Sequence, residues 1–243
     1  MRPADFSQAL GLCSLAAIGG CAGLSPHRPG PGFEQLETLP ATGKVSVDDL
    51  YPTRSGRWSY LVTAGDNAGE EVVIRRVNTL GFATTWVDAP GESRGEFWRL
   101  DDDGNVTLEA VVSYARATIS LFEPPLVVAY AGLAPATPRR HEVAMEVVDL
   151  NNPARRKTYG TATMTIEYVD DRRLKTPLGE LVAKRVVVSF EADLSLADVT
   201  RTTTTYVVAG LGPIVIEWQE DQVMLKVIRT RKRRTLVLKK VTE

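Results

Sequence analysis

The chain has 243 residues, a formal net charge of −1, 44% hydrophobic residues and 24% charged residues. This balance is typical of a folded globular protein, and it argues against intrinsic disorder and against a general nucleic-acid binder, which would be clearly basic. Both cysteines fall within the first 21 residues, so the rest of the chain holds no disulfide, zinc–thiolate site or thiol nucleophile.

The first 20 residues have the layout of a secretory signal. Arg2 is the basic start, residues 9–18 (ALGLCSLAAI) form a short apolar run, and Gly19 and Gly20 follow. Ten apolar residues are too few to cross a bilayer core as a helix, which favours a cleaved signal over a membrane helix. The alternative is a cytosolic protein with an apolar N-terminal helix.

The end of this segment, Ile18-Gly19-Gly20-Cys21, resembles the bacterial lipobox. The resemblance implies cleavage between Gly20 and Cys21, a diacylglyceryl group on the Cys21 sulfur, and a further acyl chain such as palmitate. Each buried methylene contributes about 0.8 kcal/mol, so two or three chains hold a protein firmly at a membrane. The resemblance thus implies a lipid-anchored protein of the bacterial cell envelope. Ala22 permits export to the outer membrane, facing the periplasm.

Residues 22–50 predict a tether, because prolines and glycines interrupt them and no apolar period is sustained. As a flexible coil, 29 residues would have an end-to-end distance of ~30 Å. The predicted organisation is a signal peptide (1–20), a lipidated cysteine with its tether (21–50), and one antiparallel β domain (51–243).

From Tyr51 onward, apolar and polar residues alternate. Residues 161–169 (TATMTIEYV) and 185–194 (RVVVSFEADL) are clear examples, and this pattern is typical of strands with one packed face. Turn signals such as residues 101–105 (DDDGN) separate about 11 strands, with little helix. A sheet this long must curl or fold over. We therefore predict an all-β fold with a single curved antiparallel sheet, a half-barrel or open barrel.

Residues 121–138 (LFEPPLVVAYAGLAPATP) interrupt the alternation with four prolines. Proline removes backbone donors and disfavours the interior of a sheet. This segment therefore predicts a long loop that packs over one end of the sheet.

Three segments resemble a family of small bacterial envelope lipoproteins. Residues 50–62 (LYPTRSGRWSYLV) resemble the family's opening strand, and residues 176–188 (TPLGELVAKRVVV) resemble its T-P-x-G hairpin. Residues 204–218 (TTYVVAGLGPIVIEW) resemble its closing segment. The resemblance implies a curved antiparallel sheet akin to lipoprotein-carrier half-barrels, and it implies no catalytic residue.

Signals for catalysis and metal binding are weak. His141 is expected on the surface of a strand, and no G-x-S-x-G elbow accompanies it. Residues 101–105 fit part of an EF-hand loop, but Arg99 and Ala110 occupy two ligand positions, so a hairpin turn is the better interpretation. Residues 210–213 (GLGP) predict a tight turn rather than a phosphate loop. We therefore expect no enzyme, no catalytic residue, no metal and no cofactor.

The C-terminal stretch is strongly basic. It has eight basic residues and no acidic one between residues 226 and 240: Lys226, Arg229, Arg231, Lys232, Arg233, Arg234, Lys239 and Lys240. Such a patch would attract anionic lipid headgroups, at about 1 kcal/mol per basic residue, or acidic polymers of the envelope. The alternative is a solvated hairpin balanced by acidic turns.

All four tryptophans, Trp58, Trp86, Trp98 and Trp218, fall on predicted strands. Tryptophans in strands usually fill a core. If the curved sheet holds no plug, we expect some of them to line a pocket.

These observations predict a membrane-anchored envelope lipoprotein that binds an apolar or amphipathic ligand non-covalently, such as a lipid or another envelope protein. The alternative is a structural or adaptor subunit of an envelope complex with no small ligand. A binding module should contain an unfilled apolar cavity under the sheet. An adaptor should have a filled core and an exposed apolar patch of roughly several hundred Å².

Overall fold

The computed structural model describes residues 32–79, 82–89, 92–225 and 227–242. Within these residues the chain forms thirteen β-strands and one short helix. The strands are β1 (Glu34–Leu39), β2 (Gly56–Gly65), β3 (Glu71–Thr79), β4 (Phe82–Ala89), β5 (Glu92–Leu100), β6 (Val106–Ser113), β7 (Thr118–Ala129), β8 (Arg139–Asp149), β9 (Arg156–Thr176), β10 (Gly179–Leu194), β11 (Ala197–Val208), β12 (Gly212–Met224) and β13 (Ile228–Thr242), and the helix α1 is Val47–Leu50.

The sheet closes into an up-and-down barrel of twelve strands. Each strand from β2 to β13 pairs with the next one, and β13 pairs back onto β2, with Leu238 opposite Tyr60. Closure removes the free edges of the ring. The prediction of an all-β domain with a single curved antiparallel sheet is confirmed, and the curvature continues until the barrel is shut.

The alternation in sequence decides which side chains face the lumen of the barrel. On β9, Ala162, Met164, Ile166 and Tyr168 are buried, while the residues between them are partly exposed. Cross-strand partners share a face of a sheet, so the luminal face can be followed from strand to strand by its register. Large buried side chains such as Trp98 fill much of the lumen.

The two ends of the barrel differ. One end, the closed end, is covered by residues 41–53, which include α1. Val45 exchanges two backbone hydrogen bonds with Leu133 (2.9 and 3.0 Å), and Leu50 lies in the core. The opposite end is formed by the turns that follow β2, β4, β6, β8, β10 and β12, and we call it the mouth.

Residues 33–50 were predicted as tether, and the structure corrects this. Phe33 is buried, with its ring centroid 6.0 Å from that of Tyr206. β1 pairs with β9 beyond the end of β8, and Val45 is only 1% exposed. The folded part therefore includes the residues from Phe33 onward. Isolated apolar side chains of this segment are buried against different parts of the barrel.

The proline-rich segment 121–138 was predicted as a loop, but its first part is strand. β7 continues to Ala129, and Pro124 and Pro125 lie where the pairing of β6 with β7 shifts register. Proline is tolerated at such an irregularity because no ladder hydrogen bond is needed from it. The remaining residues do form a connection, whose Leu133 packs over the closed end.

Candidate functional site

A cavity of about 110 Å³ lies in the lumen, in the half of the barrel nearer the mouth. Its lining residues come from two opposite walls of the ring: Val72, Ile74, Val87, Arg94, Arg201, Thr203, Ile216, Trp218, Arg234 and Leu236. β5 and β11 lie six strands apart in the ring of twelve, so the cavity spans the lumen between them. Its walls combine aliphatic side chains with three arginines and one indole.

Trp218 connects two of these arginines. Its cross-strand partners are Thr203 on β11 and Arg234 on β13. The guanidinium carbon of Arg201 lies 5.9 Å from the indole ring, and that of Arg234 lies 5.7 Å from it. Cation–π attraction at these distances holds both guanidinium groups beside the ring.

Three charged side chains, Arg201, Glu220 and Arg116, form a network of ion pairs at the mouth, above the cavity. Arg201 donates from Nε (2.9 Å) and Nη2 (2.5 Å) to Glu220, whose residue exposure is 6%. Arg116 Nη2 lies 3.9 Å from the other oxygen of Glu220. Since Arg116 belongs to the turn after β6, on the opposite side of the ring from β12, this contact joins opposite walls of the barrel.

A polar chain of contacts links the cavity to the closed end. Arg94 Nε lies 3.1 Å from Glu96, and Glu96 accepts a hydrogen bond from the Tyr51 hydroxyl at 2.7 Å. The Arg76 guanidinium carbon lies 4.0 Å from the Tyr51 ring, and Arg76 Nη1 donates to the carbonyl of Pro52 at 2.7 Å. Burial and the Glu96 charge raise the pKa of the Tyr51 phenol, so the hydroxyl remains a donor to Glu96.

The cavity and its surroundings combine paired charges with apolar walls. Two carboxylates, Glu96 and Glu220, pair with Arg94 and Arg201, and aliphatic side chains complete the walls. Guanidinium groups bind carboxylate and phosphate groups in two-pronged geometry. The cavity therefore places guanidinium groups beside apolar walls. The part of the chain that the structure describes holds no cluster of three or more acidic, histidine or cysteine side chains fit for a metal ion.

A larger surface cleft of about 350 Å³ lies at the closed end. Its polar groups bond to one another: Arg54 Nη2 donates to the Gly210 carbonyl (2.8 Å), and Asn78 Nδ2 donates to the Thr53 carbonyl (2.9 Å). Asp48 accepts from Thr53 in the same cleft. Since these groups stabilise the loops that cover the barrel, the luminal cavity is the better candidate site.

The predicted basic patch is not a single surface. Near the mouth, Arg231 Nε lies 2.6 Å from Asp221, and Arg229 Nη2 lies 3.9 Å from the same oxygen. Lys232 and Arg233 are exposed farther along β13. These four residues form a basic group beside the mouth.

The other members of the predicted patch lie elsewhere. Arg234 is 8% exposed and lines the luminal cavity, since it falls on the luminal phase of β13. Lys239 and Lys240 are exposed near the closed end. Lys226 lies outside the described residues, as do the predicted lipidation and cleavage positions, Cys21 and Gly20.

The predicted turns are confirmed. Gly104 has φ +77°, and the Asp101 carboxylate accepts hydrogen bonds from the backbone of Asp103 (3.0 Å) and Asn105 (2.8 Å). This carboxylate therefore serves the hairpin turn. Gly210 and Leu211 lie in the turn between β11 and β12, with the Leu211 amide donating to the Val208 carbonyl at 3.0 Å, while Gly212 and Pro213 already belong to β12.

His141 was predicted on the surface, but it lies on β8 opposite the luminal Met164, and its Nε2 is buried without a hydrogen-bond partner among the described residues. Two tryptophans, Trp58 and Trp98, fill the core as predicted. Trp218 lines the cavity. Sequence reasoning missed the role of Arg201, although a charged residue at the luminal phase of a strand was a usable signal.

Comparisons with known proteins give no relative: no family model, no curated protein and no solved structure matches the chain. The lipobox and the resemblance to envelope lipoproteins therefore stay predictions from sequence. Among the described residues, none of the helices is long and apolar enough to cross a membrane.

Proposed function

We propose that the protein is a lipid-anchored lipoprotein of the bacterial envelope, at the outer membrane facing the periplasm, whose barrel binds an anionic amphipathic ligand non-covalently. One observation carries the ligand proposal: Arg94, Arg201 and Arg234 converge with Trp218 on an otherwise apolar cavity inside the barrel. The anchor proposal depends on Cys21 and the signal-like residues before it.

The size of the cavity limits which part of a ligand it can hold. A cavity needs roughly 10–15 Å³ of volume measured in this way to hold one water molecule, so 110 Å³ suits a phosphate or carboxylate headgroup and not a whole lipid. In this arrangement the headgroup meets the guanidinium groups, Ile216 and Leu236 line the deeper side of the cavity, and the apolar part of the ligand extends toward the mouth. Displacement of the Arg116 contact with Glu220 would widen the entry.

The second candidate function is a structural or adaptor subunit without a small ligand. The filled core below the cavity favours it, since Trp58, Trp98 and Tyr168 are each at most 2% exposed. The absence of any binding in the experiment below would favour this candidate.

The ligand proposal predicts a preference for an anionic headgroup. Lysophosphatidylglycerol, kept below its critical micelle concentration, should bind the full chain and change its tryptophan fluorescence, whereas zwitterionic lysophosphatidylcholine should bind at least about 10-fold more weakly. Arg234→Gln should weaken binding of lysophosphatidylglycerol by about 10-fold, because one charge-assisted contact to the headgroup is lost. Isothermal titration calorimetry would supply the dissociation constants.

The matched control is Arg99→Gln, which removes the same charge at a site that pairs with Glu109 near the closed end, outside the cavity. It should leave the affinity unchanged. Equal affinities for the two lysolipids, or equal losses in the two variants, would contradict the luminal site.

The anchor proposal predicts a lipid-modified N-terminus. The mass of the intact chain extracted from membranes should match a protein that begins at Cys21 and carries two or three acyl chains. Cys21→Ser should lose this lipid mass and leave the membrane fraction, while Cys13→Ser should change neither. A wild-type chain that retains Met1 and stays soluble would refute the anchor.

A further inference from the structure

Five exposed apolar side chains cluster on two neighbouring turns of the mouth. Leu196 lies on the turn after β10, and Met224, Leu225, Val227 and Ile228 surround the turn after β12. Their exposed fractions run from 36% for Met224 to 79% for Val227. The Leu225 amide donates to the Leu196 carbonyl at 2.8 Å, which joins the two turns. Contiguous exposed apolar surface of this kind marks an interaction site.

Basic side chains follow these apolar residues on the first part of β13. Arg229, Arg231, Lys232 and Arg233 are exposed on the first part of β13. The acidic partner given by the structure is Asp221, which meets Arg229 and Arg231. On the neighbouring hairpin, Asp193 and Asp198 face each other across the ladder, so that hairpin is acidic where the hairpin of β12 and β13 is basic.

We propose that these apolar tips and the basic group behind them, together the docking surface, bind an anionic lipid bilayer. The order of these groups matches the layers of a bilayer. The apolar side chains at the tips of the turns would enter the acyl-chain region, and the basic side chains would contact the lipid phosphates. Docked in this way, the barrel directs its mouth and luminal cavity toward the membrane. The inference does not depend on lipid at Cys21.

The start of the described chain is compatible with this orientation. A Cβ on Gly32 would lie 2.5 Å from Thr63, and Thr63 lies two residues before Gly65, where β2 ends at the mouth. Eleven Cα–Cα steps separate Cys21 from Gly32 and span at most about 40 Å. An anchored Cys21 and a docked mouth can therefore contact one membrane.

A position-specific fluorophore tests the docking directly. In the full chain with Cys13→Ser and Cys21→Ser, Val227→Cys would carry the environment-sensitive dye NBD. Its emission should shift to shorter wavelength with vesicles of phosphatidylglycerol and phosphatidylcholine, and much less with phosphatidylcholine alone. The same dye at Asp102→Cys, an exposed turn at the closed end, should not shift, even if the N-terminal segment binds the vesicles.

Substitutions then separate the apolar and basic contributions. In the chain that carries the Val227 label, Lys232→Gln with Arg233→Gln should weaken binding to anionic vesicles about 5- to 30-fold. In unlabelled chains, Leu225→Asp should weaken vesicle co-sedimentation about 10-fold. Val182→Asp is the matched control, because Val182 is also 51% exposed but lies near the closed end, and it should leave binding unchanged.

Three outcomes would overturn the proposal. The first is that the emission of the dye at position 227 does not change with anionic vesicles. The second is that Val182→Asp weakens binding as much as Leu225→Asp. The third is that sedimentation velocity shows a dimer that Leu225→Asp dissociates, because a second copy of the chain would then cover the surface. A wild-type chain that carries no lipid at Cys21 would refute the anchor alone and leave these results unaffected.

Discussion

Tyr51→Ala should lower the free energy of unfolding by about 3–4 kcal/mol, because truncating an aromatic ring in a core leaves a cavity. The Tyr51 ring meets Trp98 edge-on at 5.1 Å between centroids and lies beneath the Arg76 guanidinium. The variant also removes the hydrogen bond to Glu96. Urea unfolding followed by circular dichroism would measure the change.

Two control variants separate the contributions. Tyr51→Phe keeps the ring and removes only the hydroxyl, so we expect a loss of about 1 kcal/mol. Tyr159→Ala removes a ring that is 58% exposed, and its effect should stay within about 0.5 kcal/mol. A Tyr51→Ala effect as small as that of Tyr159→Ala would show that residues 41–53 do not stabilise the barrel.

The position of Tyr51 shows where sequence reasoning is limited. Strands with regular alternation, such as residues 161–169, were identified because their side chains repeat with the period of a sheet. Phe33, Val45 and Leu50 show no such period, since each contacts a different part of the barrel. Segments that seal an end are held by isolated contacts, and an apolar period cannot reveal them.

Closure of the sheet was also beyond local patterns. Alternation determines which face of a strand is buried, but it does not say whether the last strand meets the first. The closing pairs join residues from opposite ends of the folded part, such as Tyr60 with Leu238. A prediction of a curved sheet was therefore attainable, while the choice between an open and a closed barrel was not.

The candidate site was found only in part for the same reason. Trp218 was predicted to fill the core or, in a sheet without a plug, to line a pocket, and Arg234 was predicted in a basic patch. Their pairing emerges from the register of β12 with β13. One local signal was present: Arg201, Glu220 and Arg234 are charged residues at the luminal phase of their strands, and Lys232, opposite Glu220, continues that phase toward the mouth. Charged residues at buried phases are costly unless they are paired, so they indicate a site more strongly than a run of basic residues does.

A buried carboxylate that loses its partner destabilises the fold. Arg201→Met should lower the free energy of unfolding by about 2–3 kcal/mol, because it leaves the Glu220 carboxylate without its two-pronged donor. Glu220 is 6% exposed. The loss should fall below that of a fully buried pair because the Arg201 side chain is 37% exposed and Arg116 remains 3.9 Å from Glu220.

The double variant Arg201→Met with Glu220→Met tests this cause. Replacing both partners removes the stranded charge, so it should recover about half of the stability lost in the single variant or more. Arg156→Met breaks an exposed pair with Glu146 and should cost less than about 1 kcal/mol. Thermal unfolding of the wild type, the single variants Arg201→Met and Glu220→Met, their double variant and Arg156→Met would complete the comparison. If the losses in the two single substitutions simply add, Glu220 does not depend on Arg201, and the two-pronged contact is not what orders the luminal site.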